Sequence, residues 1–299
     1  MKKISISYDD AYNLIKKTCT TISRDNYQLM EQAYNRETNI GAKNILGTML
    51  ENVRLAEEYD KPVCQSPGYP TIYIRYGDNS DLLNIKEYFI RGLVNCTKDG
   101  YLRPSIVHPL NRENSGDNSG EGTPNFEFQP RPGQEFLEVI ISFKGCGAEL
   151  GNNMKIMTTA QLGRNLEGLK RLVLSTVIEA GGKPCPPVGL GIGIGGQMDV
   201  AAKLSRESIS TRNWLDENPD PQLMDLEKKL LEDINSLHMG AAGIGGDTYC
   251  LAVKIGMAAT HTAICPVAVN FHCWVTRKTG VRIYPDGRWE YLFSERILQ

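Results

Sequence analysis

The strongest constraint on the fold is that segments with helical spacing of apolar residues alternate with segments typical of strands. Helical spacing over residues 45–55 and 161–180 predicts amphipathic helices. Residues 71–76 and 136–143 are rich in β-branched and apolar residues, which predicts strands. We also expect helices over 82–94, over 223–237 and from residue 198, strands over 188–194, 250–255, 267–274 and 281–284, and a long loop over 110–134.

This order of elements predicts the fold class. Strands that alternate with helices are typical of a mixed architecture in which helices cover the faces of a sheet. The chain is therefore predicted to be α/β (mixed α+β), with a helical N-terminal region in residues 1–60 followed by a mixed sheet with flanking helices. We expect residues 1–299 to form a single domain.

A glycine run at residues 191–196 contains the G-x-G-x-x-G pattern of dinucleotide-binding proteins, and Asp216 follows about twenty residues later, as that pattern asks. The preceding strand is short, however, and glycines within it weaken strand pairing. A helix and a proline-rich turn stand where the upstream βαβ unit should be. We therefore favour a segment that allows close backbone approach over a nicotinamide-dependent oxidoreductase.

Charge and hydropathy exclude two classes of partner. The net charge is −2 and the basic residues are scattered without forming a stripe, which argues against a nucleic-acid partner. The basic residues at the N-terminus are not followed by the apolar core of a signal peptide. No apolar stretch reaches membrane-spanning length. We expect a cytoplasmic protein with no membrane partner.

The chain has eight cysteines, at positions 19, 64, 96, 146, 185, 250, 265 and 273. They are widely spaced and form no C-x-x-C pair, so a disulfide framework is not expected. Three of them have unusual neighbours: Cys64 precedes a turn signal, Cys185 lies between prolines, and Cys273 follows an apolar run. Spacing alone leaves open whether these three are buried structural thiols or ligands.

Four short motifs resemble a known family, and they are Lys61-Pro62-Val63-Cys64-Gln65, Lys144-Gly145-Cys146-Gly147, Cys185-Pro186-Pro187 with the later Gly195-Gly196, and Cys273-Trp274. In this order they resemble the α-type domain of class I fumarases and L-tartrate dehydratases over nearly the whole chain. The Cys273-Trp274 pair is closer to the tartrate dehydratase α subunit. The resemblance implies an iron–sulfur hydro-lyase acting on a small hydroxy-dicarboxylate.

The resemblance also implies a cofactor. In the family three cysteines bind a [4Fe–4S] cluster, and the matching positions here are Cys64, Cys185 and Cys273. Cys265 competes for the third position, and Cys146 is not expected to be a ligand. Four cysteines would cap every iron, as suits electron transfer, whereas three leave one iron open to act as a Lewis acid on a substrate hydroxyl.

Five further residues are candidates for the active site. Gln65, Arg103, Lys144 and the backbone at Gly147 are expected to bind substrate, with Arg103 offering a fork for a carboxylate. His261 is expected to be catalytic. Without the resemblance, a satisfied core histidine would be the preferred interpretation of His261, and a surface lysine is an alternative for Lys144.

Two departures from the family pattern bear on function. The family usually has Cys-Gln-Asp-Thr-Gly where this chain has Cys64-Gln65-Ser66-Pro67-Gly68. Fused relatives also continue into a β-type domain that carries the catalytic base, and this sequence does not contain that domain. We therefore expect a separate β-type subunit, in an α2β2 heterotetramer. The alternatives are a divergent member with another hydroxy-acid substrate and a non-catalytic cluster-binding module.

Overall fold

The computed structural model describes residues 3–66 and 68–293. The helices are α1 (Tyr8–Thr20), α2 (Arg24–Arg36), α3 (Ile40–Glu58), α4 (Ile85–Lys98), α5 (Cys146–Leu150), α6 (Thr159–Leu162), α7 (Glu167–Ala180), α8 (Met198–Thr211) and α9 (Pro221–Asn235). The strands are β1 (Tyr69–Tyr76), β2 (Asn125–Pro130), β3 (Leu137–Lys144), β4 (Asn153–Thr158), β5 (Val188–Gly195), β6 (Cys250–Ala258), β7 (Ile264–His272), β8 (Arg277–Ile283) and β9 (Trp289–Tyr291).

The chain divides into two compact units. Unit 1 comprises Met1–Arg24, Glu51–Lys144 and Val275–Gln299, and unit 2 comprises Asp25–Leu50 and Gly145–Trp274. Each unit contains one of the two sheets, and one boundary between the units falls within α3, after Leu50.

Unit 1 is built on a five-stranded sheet with the order β2-β1-β3-β8-β9. The β1–β2 pair is parallel and the other neighbours are antiparallel. Helix α1 begins at a capping box in which Ser7 and Asp10 exchange side-chain and backbone hydrogen bonds. Its apolar side chains, including Leu14 and Ile15, are buried in the same cluster as those of β3. Burial of each such side chain contributes roughly 1.5–3 kcal/mol.

Unit 2 is built on a four-stranded sheet with the order β4-β7-β5-β6. Strand β5 is parallel to β6 and antiparallel to β7, and Gly189 lies opposite His272 in the β5–β7 register. All eight residues of β5 are buried, as expected for a central strand covered on both faces.

The glycines of β5 allow helix α8 to pack directly on the strand backbone. A Cβ atom added at Gly191 would lie 1.9 Å from the carbonyl oxygen of Ser205, and one at Gly193 would lie 1.9 Å from that of Ala201. Larger side chains are therefore excluded by the helix and not by a bound phosphate. The close approach of α8 to the backbone of β5 therefore explains why glycines occur in this segment.

The predicted fold class is confirmed, with N-terminal helices followed by mixed sheets. Several details differ from the prediction, among them the following. The expected loop over 110–134 contains β2, which pairs in parallel with β1. The helix expected over 161–180 is interrupted at Gly163, whose φ of 74° is left-handed. Strand β4 was not predicted.

Within the residues that the structure describes, no helix is both long enough and apolar enough to cross a membrane.

Candidate active site

Cys185 lies in the turn that leads into β5. Its φ of 55° is left-handed, a conformation uncommon for residues other than glycine, and its side chain is exposed. The backbone N–H of Cys185 donates to the carbonyl oxygen of Gly182 at 3.1 Å. Prolines on both sides restrict the backbone further. The turn therefore presents the thiol at the end of the unit 2 sheet.

Cys273 reaches the same end of the sheet from the opposite direction. It directly follows β7, which runs antiparallel to β5, so the start of β5 and the end of β7 coincide. The backbone N–H of Trp274 donates to the carbonyl oxygen of Cys185 at 3.2 Å. The Cys273 side chain is largely buried, at 7% exposure. The structure thus brings together two of the three predicted ligand positions.

The start of α5, with Gly145 before it and Gly147 within it, lies close to both of these cysteines. A Cβ atom added at Gly145 would lie 3.7 Å from the Cys273 sulfur, and one at Gly147 would lie 3.9 Å from the Cys185 sulfur. At Gly147 the same atom would lie 2.3 Å from the carbonyl oxygen of Lys183, so only glycine fits. Gly147 therefore lies beside Cys185.

These residues fit a cluster that is bound by thiolates. Two cysteines lie at one sheet end, and the two neighbouring glycines leave the space beside the sulfur atoms clear of side chains. Cysteine is the usual ligand of iron–sulfur clusters. Across the described ranges, however, no group of three or more His, Cys, Asp or Glu side chains is arranged to hold a single metal ion.

The third predicted ligand, Cys64, belongs to unit 1 and is half-buried. Both backbone groups of the preceding residue, Val63, are hydrogen-bonded. Its N–H donates to the carbonyl oxygen of Cys19 at 3.0 Å, and its carbonyl oxygen accepts from the Asn52 side-chain amide at 2.8 Å. The carbonyl oxygen of Cys64 itself accepts a long hydrogen bond of 3.5 Å from Arg277. The Cys64 backbone is therefore held from inside unit 1.

The residues after Cys64 are more open to solvent. Gln65 is exposed and Ser66 is half-buried. Pro67 lies outside the described residues.

Arg103 and Lys144 have contrasting environments within unit 1. The carbonyl oxygen of Arg103 accepts hydrogen bonds from the Asn118 amide at 3.0 Å and the Ser105 hydroxyl at 3.1 Å. The Arg103 side chain is exposed. Lys144, the last residue of β3, is only 2% exposed. The alternative that Lys144 is a surface lysine is therefore wrong.

His261 and Cys265 lie at the opposite end of β7 from Cys273. His261 is exposed in the turn between β6 and β7, and its Nδ1 accepts a hydrogen bond from the N–H of Ala263 at 3.1 Å. Eight residue steps of about 3.3 Å place Cys265 about 26 Å from Cys273 along the strand. Neither residue lies near the paired Cys185 and Cys273 of its own chain.

The remaining cysteines fall into two groups. Cys19, Cys96 and Cys250 are buried packing residues. Burial raises the pKa of the Cys19 and Cys250 thiols to about 12, so both stay protonated at neutral pH. Cys146 is different, because it is exposed and stands between Gly145 and Gly147.

The structure also shows two supporting residues that the sequence did not indicate. Asn26 is fully buried in unit 2, and its amide donates to the carbonyl oxygen of Trp274 at 2.6 Å. Arg277 is 1% exposed in unit 1 and contacts the backbone of Cys64. Both contacts join residues far apart in sequence, and no local pattern marks them.

Comparisons with known proteins identify the family to which the chain is similar. Residues 8–282 match the family model described as Fumarate hydratase (Fumerase). A Methanocaldococcus jannaschii protein provisionally named L(+)-tartrate dehydratase subunit alpha is 39% identical over 285 residues, which are 94% of this chain and 98% of that protein. The L(+)-tartrate dehydratase subunit alpha of Escherichia coli K12 is 28% identical over 285 residues, 95% of this chain and 93% of that protein.

A longer relative matches as well. A Geobacillus stearothermophilus protein provisionally named fumarate hydratase class I is 34% identical over 302 residues, which are 97% of this chain and 58% of that protein. The names of these relatives denote enzymes that add or remove water. The resemblance inferred from the cysteine motifs is confirmed, and the chain belongs to the fumarate hydratase (fumerase) family of hydro-lyases.

Proposed function

We propose that this chain is the iron–sulfur subunit of a hydro-lyase that hydrates or dehydrates a small hydroxy-dicarboxylate of the fumarate, malate or tartrate type. A [4Fe–4S] cluster is bound by Cys64, Cys185 and Cys273, with one iron open. The observation that carries the proposal is the β5–β7 register, which sets Cys185 and Cys273 side by side next to two glycines. The names of the relatives support the substrate class.

When bound, the cluster supplies a Lewis-acidic iron for the substrate hydroxyl. The chain's own residues bind and orient the rest of the substrate. The backbone at Gly147, beside Cys185, offers a polar contact. Arg103 and Lys144 supply positive charge for the carboxylates, and Gln65 adds a neutral hydrogen-bonding group.

We propose that His261 is a catalytic residue in the active site of a second copy of the chain. Strand β7 places Cys265 about 26 Å from Cys273, and His261 lies in the turn beyond Cys265, which is too far for direct proton transfer to a substrate bound at Cys273 of the same chain. Its exposed position in the β6–β7 turn leaves it accessible to another protomer. The active site would then be complete only in an oligomer.

The proposal also includes a separate β-type subunit that supplies the catalytic base, in an α2β2 assembly. Two of the relatives are named as alpha subunits, and the Geobacillus stearothermophilus relative is longer than this chain, because the match covers only 58% of it. We place the assembly in the cytoplasm, where thiols stay reduced.

The test is anaerobic reconstitution with iron and sulfide, with bound iron measured per chain. Cys64→Ala, Cys185→Ala and Cys273→Ala should each lose most of the iron. The matched controls are Cys146→Ala and Cys265→Ala, which should keep it. A Cys185→Ala variant with full iron, and full activity beside the β-type subunit, would contradict the proposal.

A second candidate is a family member with a different hydroxy-acid substrate, and the observation that favours it is Ser66. Serine cannot carry the charge of the aspartate that the family usually has at this position. Ser66→Asp in the complete enzyme should shift the relative rates on fumarate, malate and tartrate. Unchanged rates on all three acids would remove the reason for this candidate.

A further inference from the structure

Arg277, the first residue of β8, is a buried cation, and no ion pair within residues 3–66 and 68–293 balances its charge. Its side chain is 1% exposed, and its Nε makes no hydrogen bond. Nη1 donates only to the carbonyl oxygen of Cys64, across a long 3.5 Å. Among the residues that the structure describes, no carboxylate pairs with Arg277.

Other arginines of the same sheet differ from Arg277 in this respect. Arg75 donates to Glu138 at 2.8 Å from β1, and Arg282 donates to the same carboxylate at 2.8 Å from β8. These two cations flank a nearly buried anion that compensates them. A buried charge without a partner is strongly destabilising, because desolvation is not offset by attraction.

The buried thiol of Cys19, on which the charge of Arg277 acts, does not serve as the counter-ion. Burial raises the pKa of Cys19 to about 12, although the charge of Arg277 acts in the opposite direction. Cys19 is therefore neutral at physiological pH. On the opposing strand β3, the residue in register with Arg277 is Phe143, which is uncharged.

We propose that the bound iron–sulfur cluster is the counter-charge of Arg277, which acts as a positioning residue for the ligand Cys64. This inference rests on the proposed function. Three thiolates bring more negative charge than the oxidised cluster core carries positive charge, so a cluster held by Cys64 supplies an anion beside the guanidinium. The same guanidinium holds the Cys64 backbone through its carbonyl oxygen.

The inference predicts opposite effects of Arg277 in the two forms of the protein. Without a cluster, the unpaired charge opposes folding, and methionine of similar length should be tolerated or stabilising. With a cluster, the charge should strengthen retention and raise the reduction potential. Residues that support metal ligands from behind typically change metal affinity about 10- to 100-fold when they are mutated.

The experiment compares Arg277→Met, Arg277→Lys and the control Arg282→Met in the full chain. Urea unfolding is measured without cluster, and bound iron and reduction potential are measured after anaerobic reconstitution. Arg277→Met should unfold no more easily than the wild type, yet lose cluster about 10- to 100-fold more readily and show a lower potential. Arg277→Lys should retain most of the iron. Arg282→Met should unfold more easily but keep its iron, since it breaks a balanced pair.

Two results would overturn the inference while leaving the proposed function in place. One is an Arg277→Met protein with wild-type iron content and potential. The other is an Arg277→Met chain that is destabilised without cluster as Arg282→Met is, or that fails to fold, because Arg277 would then be structural. If the wild-type chain binds no cluster, the proposed function fails and the inference fails with it.

Discussion

The backbone N–H of Trp274 donates to the carbonyl oxygen of Cys185 across 3.2 Å. The bond extends the β5–β7 ladder beyond its last pair, Gly189 and His272. It ties the residue after Cys273 to the Cys185 turn, and the amide of Asn26 holds Trp274 from its other side. These hydrogen bonds to backbone groups therefore help to hold the two cysteines at the same end of the sheet.

The exposure of the thiols predicts a labelling pattern. In the cluster-free protein, iodoacetamide should modify the exposed Cys146 and Cys185 first. Cys19 and Cys250 should resist, because burial raises their pKa to about 12 and leaves little thiolate. After anaerobic reconstitution, Cys185 should be protected while Cys146 still reacts. Peptide mass spectrometry gives the sites, and protection of Cys146 would count it among the ligands.

The two glycines before and within α5 should differ in their tolerance of a methyl group. Gly147→Ala places a Cβ 2.3 Å from the carbonyl oxygen of Lys183, and the resulting backbone shift should cost about 1–3 kcal/mol of unfolding free energy. Gly145→Ala meets only the Cys273 sulfur at 3.7 Å, so its change should stay within about 0.5 kcal/mol. Urea unfolding of the cluster-free variants measures both, and equal stabilities would contradict the close packing at Gly147.

The distance between His261 and Cys273 predicts complementation between two inactive variants. His261→Asn and Cys185→Ala should each abolish activity in the complete enzyme. In mixed oligomers, the intact cysteines of one chain meet the intact histidine of the other. A random mixture of dimers should recover about a quarter of wild-type activity, since half are mixed and each has one complete site. No recovery would show that His261 does not act across chains.

Asp60 should make part of the stability depend on pH. Burial disfavours its ionised form, but hydrogen bonds from Lys16 at 2.6 Å and Tyr101 at 2.9 Å outweigh burial and lower the pKa of the carboxyl group. A lowered folded-state pKa stabilises the fold above the unfolded value of about 3.9, and this stabilisation is lost as the pH falls through the folded value.

Asp60→Asn tests this pH dependence. Asparagine tolerates the left-handed φ of 51° at this position, so the backbone is preserved. The variant should be less stable at about pH 7, by under about 1 kcal/mol because the pair is largely exposed, and the difference should shrink as the pH falls through the lowered folded-state pKa. Thermal unfolding across this range measures it, and a constant difference would contradict the ionic contribution.

Local pattern was enough to predict the elements that carry the paired cysteines. The apolar run before Cys273 is β7, and the glycine-rich segment after Cys185 is β5. Strand β4 was missed because it lies at a sheet edge, where Met154 and Ile156 remain exposed and no buried stripe forms. Strand β2 was missed because its pairing with β1 is non-local and prolines flank it.

The site itself depended on information that no local pattern contains. Spacing could not choose between Cys265 and Cys273, whereas the strand places them at opposite ends of β7. The burial of Lys144 follows from its position at the end of β3, and sequence left it open. The sequence also could not show that Glu138 pairs with Arg75 and Arg282 and not with Arg277, because these pairs form only in the folded sheet.

The register between β5 and β7 also limits how relatives of this chain can vary in length. Insertions in the loops between residues 196 and 263 leave the separation of Cys185 and Cys273 unchanged. The pairing of β5 with β7 sets that separation at the opposite end of the sheet. Deletion of a single residue inside β7 would move Cys273 by about 3.3 Å and turn the following side chains to the opposite face. Among relatives, insertions and deletions should therefore occur near the end of the sheet that contains Gly195 and Gly196. Strand β7, which leads to Cys273, should keep a constant length.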